Sequence, residues 1–182
     1  MKATGIVRRI DDLGRVVVPK EIRRTLRIRE GDPLEIYTDR EGEIILKKYS
    51  PIGELGQFAK QYVDSMAQAT GHIIAISDKD QFIAAAGSMK KELLSKPISH
   101  ELEEAINERA NVLAAKEDKN FIRIGSDDES DYTYQVICPI ISEGDAIGAV
   151  IILTKEAKIK FGDVENKVAI IAASFLGKQM EQ

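Results

Sequence analysis

Residues 11–19 read DDLGRVVVP, and this stretch decides how the first part of the chain is interpreted. Asp11–Gly14 has turn composition, because aspartate accepts local backbone hydrogen bonds and glycine adopts positive φ without strain. The β-branched run over residues 15–18 predicts a strand. Pro19 is expected to end this strand, and it suits the first turn of a helix. On the other side of the turn, Ile6–Ile10 is predicted to form a second short strand.

The residues that follow complete a small unit of short elements. Lys20–Leu26 is predicted as a helix, and Leu34–Tyr37 and Glu43–Lys47 as the strands of a hairpin with Gly42 at its tip. A unit of about fifty residues buries little surface on its own and is marginally stable. We therefore expect a second copy to complete it, as an obligate dimer.

Basic residues are concentrated at the start of an acidic protein. The 182 residues carry a net charge of −4, whereas residues 1–29 contain nine Lys and Arg and three Asp and Glu. Salt screens exposed charges beyond about 8–10 Å, so distant acidic residues need not cancel this patch. Seven of the nine are arginines, which bind phosphate and guanine in bidentate fashion. The patch indicates nucleic-acid binding; the alternative is a solvated basic face without a partner.

Composition excludes several functional classes. The chain is 43% hydrophobic and 31% charged, as in soluble globular proteins. Its apolar runs are far shorter than the roughly twenty residues of a membrane span, and no secretory signal is visible, so we expect a cytoplasmic protein. Cys138 is the single cysteine, which excludes an intrachain disulfide and cysteine-based zinc sites. The two histidines, His72 and His100, are not closely spaced, so we expect no metal and no cofactor.

Residues 54–182 are predicted to form a second domain, separate from residues 1–53. Helical spacing predicts a helix that ends at Gly71, a second helix capped by Ser99 and a last helix capped by Asp163. Hairpins are predicted over 72–86 and 132–153. This order of elements indicates an α+β domain built on an antiparallel sheet.

The first and last helices of this domain each carry an apolar stripe, and both stripes have two interpretations. The members are Leu55, Phe58, Ala59, Tyr62, Met66 and Ala69 on the first helix, and Val164, Val168, Ile171, Phe175 and Leu176 on the last. The stripes either belong to the domain core or partly form an interface between copies of the domain. In the second case they would convert dimers into a homotetramer.

Other chemistry-bearing residues of this domain are expected to be inert. Cys138 lies in an apolar strand and is predicted to be a buried thiol, while His72 and His100 are predicted to be exposed or satisfied polar residues. An acidic loop lacks the spacing of a calcium-binding loop and is predicted to be solvated. Its acidic residues are Asp127, Asp128, Glu129 and Asp131.

The first domain resembles the AbrB-type swapped-hairpin DNA-binding domain of bacterial transition-state regulators. The matching stretches are Thr4–Arg8, Leu13–Pro19, Glu21–Leu26 and Gly31–Ile36. The resemblance implies an N-terminal all-β barrel in which two chains interleave their hairpins. Val18 replaces the usual isoleucine, which we expect to be harmless.

The same resemblance implies which residues contact double-stranded DNA. Arginines at the positions of Arg8, Arg15, Arg23 and Arg24 face DNA in that family. Arg9 and Lys20 are added because of their charge and proximity. We instead expect Arg27 and Arg29 to form ion pairs with Glu30 or Asp32.

The second domain resembles GAF domains, which are small-molecule-sensing α+β folds. Asn166, Lys167 and Phe175 match part of the motif of cyclic-nucleotide-binding members, but the Asp-Glu pair that should follow is missing. We therefore do not expect a cyclic nucleotide, and the ligand, if there is one, stays unknown. A single cysteine also disfavours the methionine sulfoxide reductase activity of some members.

The whole chain resembles the stage V sporulation regulators. The resemblance implies a transcription regulator, both activator and repressor, of late forespore genes, which binds AT-tolerant promoter DNA in the nucleoid. Two alternatives are an antitoxin, since antitoxins share the swapped hairpin, and an enzyme that uses the GAF pocket. The long second domain disfavours the antitoxin, and the absence of a nucleophile–base set or a phosphate-binding glycine loop disfavours the enzyme.

Overall fold

The chain folds into two compact units, Met1–Tyr49 and Ser50–Gln182. The computed structural model describes residues 5–127 and 131–181. The domain boundary expected between residues 53 and 54 stays a prediction. In the structure, Ile52 is fully buried in the core of the second unit.

Within residues 5–49, the first unit forms one short helix and one hairpin. Helix α1 spans Lys20–Thr25, and strands β1 (Leu34–Thr38) and β2 (Ile44–Lys48) pair antiparallel. As predicted, Pro19 stands at the helix N-cap, where its φ of −56° suits the first turn.

The two strands predicted on either side of the opening turn form no ladder within the described part of the chain. The turn itself is present, because the Asp11 N–H donates to the Arg15 carbonyl at 3.0 Å and the Gly14 N–H to the Asp11 carbonyl at 3.0 Å. Residues 6–10 and 16–19 are otherwise irregular. A strand needs a neighbouring strand to form a ladder with, and residues 5–49 supply no strand that pairs with these segments.

The first unit has almost no core of its own. Among residues 5–49, only Pro19 is buried. The apolar side chains of Val7, Val17 and Ile36 are 86%, 70% and 67% exposed. A unit that leaves these side chains in water does not gain the apolar burial that stabilises a fold. The exposure supports the expectation of a second copy.

The second unit is built on a five-stranded antiparallel sheet in the order β4-β3-β7-β6-β5. Its strands are β3 (Ile73–Ser77), β4 (Phe82–Ala86), β5 (Val112–Ala115), β6 (Tyr134–Ser142) and β7 (Asp145–Thr154). Its helices are α2 (Pro51–Glu54), α3 (Gly56–Thr70), α4 (Lys90–Leu93), α5 (His100–Asn107) and α6 (Asp163–Gln179). The α+β domain on an antiparallel sheet is thus confirmed, whereas β5 and the short helices α2 and α4 were not predicted.

Each face of the sheet packs against helices, which gives three layers. Alternate residues of the central strands point to opposite faces, as β-structure requires. On one face, Ile152 packs with Ala59 of α3 and Leu176 of α6. On the other, Ile151 packs with Leu102 of α5. All of these side chains are fully buried, so this unit has a complete core of its own.

Helix α6 approaches the sheet closely because it carries a glycine at the contact. A Cβ atom on Gly177 would overlap the Ile141 carbonyl oxygen of β6. A Cβ atom on Gly148 of β7 would likewise overlap the carbonyl oxygen of Ser77 in the neighbouring strand β3. Neither glycine has positive φ, so close backbone approach, rather than backbone conformation, requires them.

The predicted helix caps are confirmed in two of three cases. Ser99 Oγ accepts a hydrogen bond from the Leu102 N–H at 3.0 Å, and Gly71 ends α3 with φ 73°. The prediction that Asp163 caps the last helix was wrong. Gly162 is the N-cap, and its N–H is satisfied from within the helix by Glu165 Oε2 at 2.8 Å.

The apolar stripe of α6 is largely not the face that packs in the core. Val164, Ile171 and Phe175 are 70%, 65% and 40% exposed, and of the stripe only Leu176 is fully buried. The buried face of α6 consists of four small residues and Leu176; the small ones are Ala169, Ala172, Ala173 and Gly177. The small side chains let the helix lie close to the sheet, while Val164, Ile171 and Phe175 remain outside.

Candidate nucleic-acid interface

Asp11 organises the turn that carries the first predicted DNA-binding residue. Its Oδ1 accepts the backbone N–H groups of Leu13 at 3.0 Å and Arg15 at 2.8 Å. Its Oδ2 accepts the Arg15 Nε–H at 2.9 Å. The backbone and side-chain hydrogen bonds from Arg15 hold the pKa of Asp11 below its ordinary value. Gly14 completes the turn with φ 75°.

Arg15 remains available to a partner despite this ion pair. Its side chain is 69% exposed. The contact to Asp11 uses Nε, and the two terminal nitrogens donate no hydrogen bond within residues 5–127 and 131–181. The guanidinium therefore presents its terminal edge to solvent.

The remaining predicted cations lie on either side of this turn. Arg8 and Arg9 are exposed in the irregular segment that precedes the turn. Lys20 and Arg24 are exposed on α1, and Arg23 is half-buried. None of these five side chains forms an ion pair within the part of the chain that the structure describes. Only Arg15 is thus held by a carboxylate.

The cations excluded from the predicted site lie around Asp32. This carboxylate pairs with Lys48 Nζ at 3.1 Å and accepts the Arg29 N–H at 2.8 Å. Burial alone would raise the pKa of Asp32, but these hydrogen bonds and the charges of Lys48 and Arg29 hold it below its ordinary value. Lys48 also donates to the Arg27 carbonyl at 2.9 Å. The contact of Lys48 with Asp32 was not predicted, because the two residues are distant in sequence.

Six cations on a small, largely exposed unit can neutralise phosphates. They are Arg8, Arg9, Arg15, Lys20, Arg23 and Arg24. Contacts of this type give affinity and register on a duplex, while arginines that reach base edges add sequence discrimination.

The second unit contains a cavity of about 580 Å³ next to β4 and α4. Phe82, Met89, Leu93 and Pro97 form its apolar lining, and Lys96 lies among its charged lining residues. Asp127 and Asp131 of the predicted acidic loop also line the cavity, and Asp131 pairs with Lys116. Asp128 and Glu129 lie outside the described residues.

The isolated polar residues of this unit differ partly from expectation. Burial raises the pKa of the Cys138 thiol to about 11, as befits the predicted inert thiol. His100 is exposed and lies 3.7 Å from Glu104, as expected of a solvated residue. His72 is not exposed, which was one of its two predicted states: its side chain is 10% exposed and packs on Phe161. Its Nε2 lies 3.9 Å from Glu165 Oε1, while its buried Nδ1 has no hydrogen-bond partner among the described residues. The residue directly precedes β3 and is flanked by Phe161 and by Glu165 of α6.

Comparisons with known proteins agree with this two-unit architecture. The family model "Stage V sporulation protein T C-terminal, transcription factor" matches residues 54–181. Stage V sporulation protein T of Bacillus subtilis (strain 168) is 54% identical over 182 residues, which is 100% of both chains. The chain belongs to the stage V sporulation protein T family. The prediction of a sporulation transcription regulator is thereby confirmed.

The first unit has its own relatives. The transition state regulatory protein AbrB of Bacillus subtilis is 69% identical over 51 residues, which is 28% of this chain and 52% of that protein. The family model "Antidote-toxin recognition MazE, bacterial antitoxin" matches residues 7–54. The AbrB-like domain supports DNA binding and dimer formation.

The second unit has the GAF fold, as predicted. The GAF domain of Acinetobacter phosphoenolpyruvate-protein phosphotransferase is similar with a TM-score of 0.57 and 13% identity, over 71% of this chain and 87% of that one. The type II free methionine-R-sulfoxide reductase of Thermoplasma acidophilum is similar with a TM-score of 0.52 and 12% identity, over 69% of this chain and 94% of that one. At these identities the likeness concerns the fold alone. No helix among the described residues has the length and apolar character needed to cross a membrane.

Proposed function

We propose that two copies of the chain form a DNA-binding surface from the six cations of each first unit, and thereby regulate late forespore genes as activator and repressor. The observation that carries this proposal is the coincidence of exposed cations with a missing core. Residues 5–49 expose most of their apolar side chains, which a second copy would cover, and most of their arginines, which a polyanion would neutralise. Full-length similarity to a sporulation regulator supports the biological setting.

The mode of binding follows from the kind of side chain. Most of these cations would contact phosphates and a few arginines would reach base edges, so promoter choice rests mainly on groove shape and tolerates AT-rich variation. Such a protein acts in the cytoplasm, on nucleoid DNA.

A salt titration tests the interface. We expect the logarithm of affinity for AT-rich promoter DNA to fall with the logarithm of salt concentration, with a slope of roughly −5 to −9 for about six to ten neutralised phosphates. The Arg15→Ala, Arg23→Ala double variant should bind weakly and with a shallower slope. The matched control removes two exposed lysines of the second unit, Lys158→Ala and Lys160→Ala, and should bind like the unaltered protein.

Other outcomes would redirect the proposal. Equal losses in both double variants would indicate a nonspecific charge effect. Undiminished binding by the arginine variant would remove the patch as the interface. If no form bound DNA, the antitoxin alternative, suggested by the match of residues 7–54, would be tested with a toxin-inhibition assay.

We propose further that α3 and α6 join two dimers into a homotetramer. Phe58, Tyr62 and Phe175 form an aromatic cluster on these helices, with ring centroids 5.6–6.0 Å apart. Phe58 and Phe175 are 37% and 40% exposed, and Ile171 beside them is 65% exposed. Exposed aromatic and aliphatic clusters of this kind are typical of interfaces. Light scattering should show a tetramer that Ile171→Asp converts to a dimer; a stable dimer of the unaltered protein at micromolar concentration would disprove the proposal.

The cavity beside β4 and α4 is the proposed site for a small-molecule effector. Its apolar lining and charged residues suit a small amphiphilic ligand. We propose a regulator rather than an enzyme; Cys138 is buried with a raised pKa and forms little thiolate, which disfavours the thiol chemistry of the reductases that share the GAF fold. A metabolite screen by thermal shift, with mass spectrometry of the same mixtures, tests for binding without turnover.

A further inference from the structure

Arg15 differs from the other predicted DNA-binding residues in having a fixed carboxylate partner. We propose that Asp11 is a positioning residue, which orients Arg15 to read a guanine edge in the major groove rather than to contact a phosphate. This inference rests on the proposed DNA-binding role of Arg15. It assigns to an acidic residue, inside a basic surface, a part in sequence discrimination.

The first step of the argument is that the Asp11 carboxylate is itself immobilised. Oδ1 accepts two backbone N–H groups, those of Leu13 and Arg15, at 3.0 and 2.8 Å. The backbone of Asp11 is closed onto Arg15 by a further hydrogen bond of 3.0 Å. Most exposed ion pairs join two mobile side chains and fix neither of them. Here the turn fixes the carboxylate, so the carboxylate can fix the guanidinium.

The second step concerns which atoms of Arg15 remain free. A guanidinium has five N–H donors in a rigid planar fork, and the Asp11 contact at 2.9 Å uses the Nε–H. Four donors on the two terminal nitrogens remain. Bidentate recognition of guanine O6 and N7 requires two donors in a defined plane. Phosphate contacts tolerate many orientations, so a fixed fork matters most for a base contact.

The third step is the electrostatic cost of this arrangement. A carboxylate beside a DNA-binding arginine repels phosphates, so Asp11 lowers affinity for any duplex. A residue that lowers general affinity but raises discrimination has a distinctive signature. Removal of its charge should strengthen nonspecific binding and weaken the preference for the specific site.

Asp12 provides a matched control because it has the same charge at the neighbouring position. It is exposed and forms no side-chain hydrogen bond or ion pair within the described part of the chain. Asp11→Asn keeps a carbonyl oxygen for the two backbone N–H groups but places an amide where Arg15 Nε–H needs an acceptor. Both variants therefore change the net charge equally, and only one releases Arg15.

The experiment measures the affinities of the full-length protein for a promoter fragment and for a scrambled duplex at one salt concentration. We expect Asp11→Asn and Asp12→Asn to strengthen binding to the scrambled duplex alike. Only Asp11→Asn should lower the ratio of the two affinities, by about 5- to 20-fold, in the range of one lost bidentate base contact. In an Arg15→Ala background, Asp11→Asn should have no further effect on the ratio, since the two residues act as one unit.

The remaining outcomes separate this inference from the proposed function. If Arg15→Ala lowers the ratio and Asp11→Asn does not, Arg15 reads DNA without help from Asp11 and the inference is wrong. If Arg15→Ala changes neither affinity, the proposed interface itself fails. An equal fall of the ratio for Asp11→Asn and Asp12→Asn would reduce the role of Asp11 to net charge, which also overturns the inference. Circular dichroism spectra that match the unaltered protein establish that the turn variants fold.

Discussion

Two β-branched runs of this chain have nearly the same sequence character and opposite surroundings. Val16 and Val17 of the first unit are 51% and 70% exposed, whereas Val150 and Ile152 of the second are fully buried. Strand β7 lies between β3 and β6 and beneath helices on both faces, all supplied by the same chain. The run after the opening turn has no such neighbours among residues 5–49. An apolar run therefore becomes a buried strand only where neighbouring segments pair with it and cover it, and residues 5–49 of one chain do not do this for Val16 and Val17.

The largest effect is expected in the second unit, from a change at the centre of its core. Ile152→Ala removes a fully buried side chain from β7 and leaves a cavity between the sheet and α6. We expect the free energy of unfolding of this unit to fall by about 2–5 kcal/mol. Urea unfolding monitored by circular dichroism measures the change.

The same experiment tests whether the second unit is self-sufficient. Its core is supplied by one chain, so most of the loss should appear at every protein concentration. A loss that vanished at high protein concentration would mean that association, rather than the core of one chain, holds this unit together, and the contrast between the units would disappear.

A smaller effect is expected where α6 approaches the sheet. Gly177→Ala places a Cβ against the Ile141 carbonyl, so the helix must move outward, and we expect a loss of about 1–3 kcal/mol. Gly56→Ala is the matched control, because nothing lies within 4 Å of the added Cβ at the start of α3. That change should be neutral or slightly stabilising, since alanine favours helix. Equal losses at both positions would contradict close packing as the reason for Gly177.

The sequence was sufficient for most of the second unit because its patterns are local. Strands β3, β4, β6 and β7 are apolar runs bounded by turn residues, and α3 ends at a glycine, as periodicity predicts. Strand β5, by contrast, has four residues of which one is β-branched, and it pairs only along one edge. Such a segment has no periodicity to recognise, and tertiary pairing decides its conformation.

The sequence left open which face of α6 packs in the core. Its large apolar residues follow helical spacing, but so do its alanines, on another face of the helix. Hydrophobicity alone favours the large residues as the core face. Close contact with the sheet instead selects the small ones, and this depends on the carbonyl of Ile141, which is distant in sequence.

The candidate site divides in the same way. Charge and motif predicted which cations of the first unit form the candidate site. The contacts of Asp11 and Lys48 could not be predicted, because sequence spacing does not specify them. An acidic residue inside a basic patch would, on charge counting, be treated as a loss of affinity. Its geometry gives it a different role.

A third prediction tests whether a second copy covers the exposed run of the first unit. Val17→Ala removes two methyl groups, worth about 1.6 kcal/mol if they are buried between chains. We expect Val17→Ala to lower the stability of the first unit by about this amount. The stability itself should increase with protein concentration. Hydrogen exchange of residues 5–49 measures both effects. A change below about 0.5 kcal/mol, typical of solvated positions, would mean that the run stays exposed in solution.

The smallest effect concerns the carboxylate that holds the hairpin of the first unit to the segment after α1. The folded-state pKa of Asp32 lies below its ordinary value, so its contribution to stability is complete above the unfolded-state pKa and is lost as the pH falls through the folded-state pKa. Asp32→Asn should therefore be less stable at neutral pH by at most about 1 kcal/mol, because solvent screens the pair with Lys48. The difference should close below about pH 4. Asp12→Asn changes an exposed carboxylate without such contacts, so its stability should equal that of the unaltered protein at every pH. If the stability difference for Asp32→Asn persisted in acid, packing rather than charge would account for the role of Asp32.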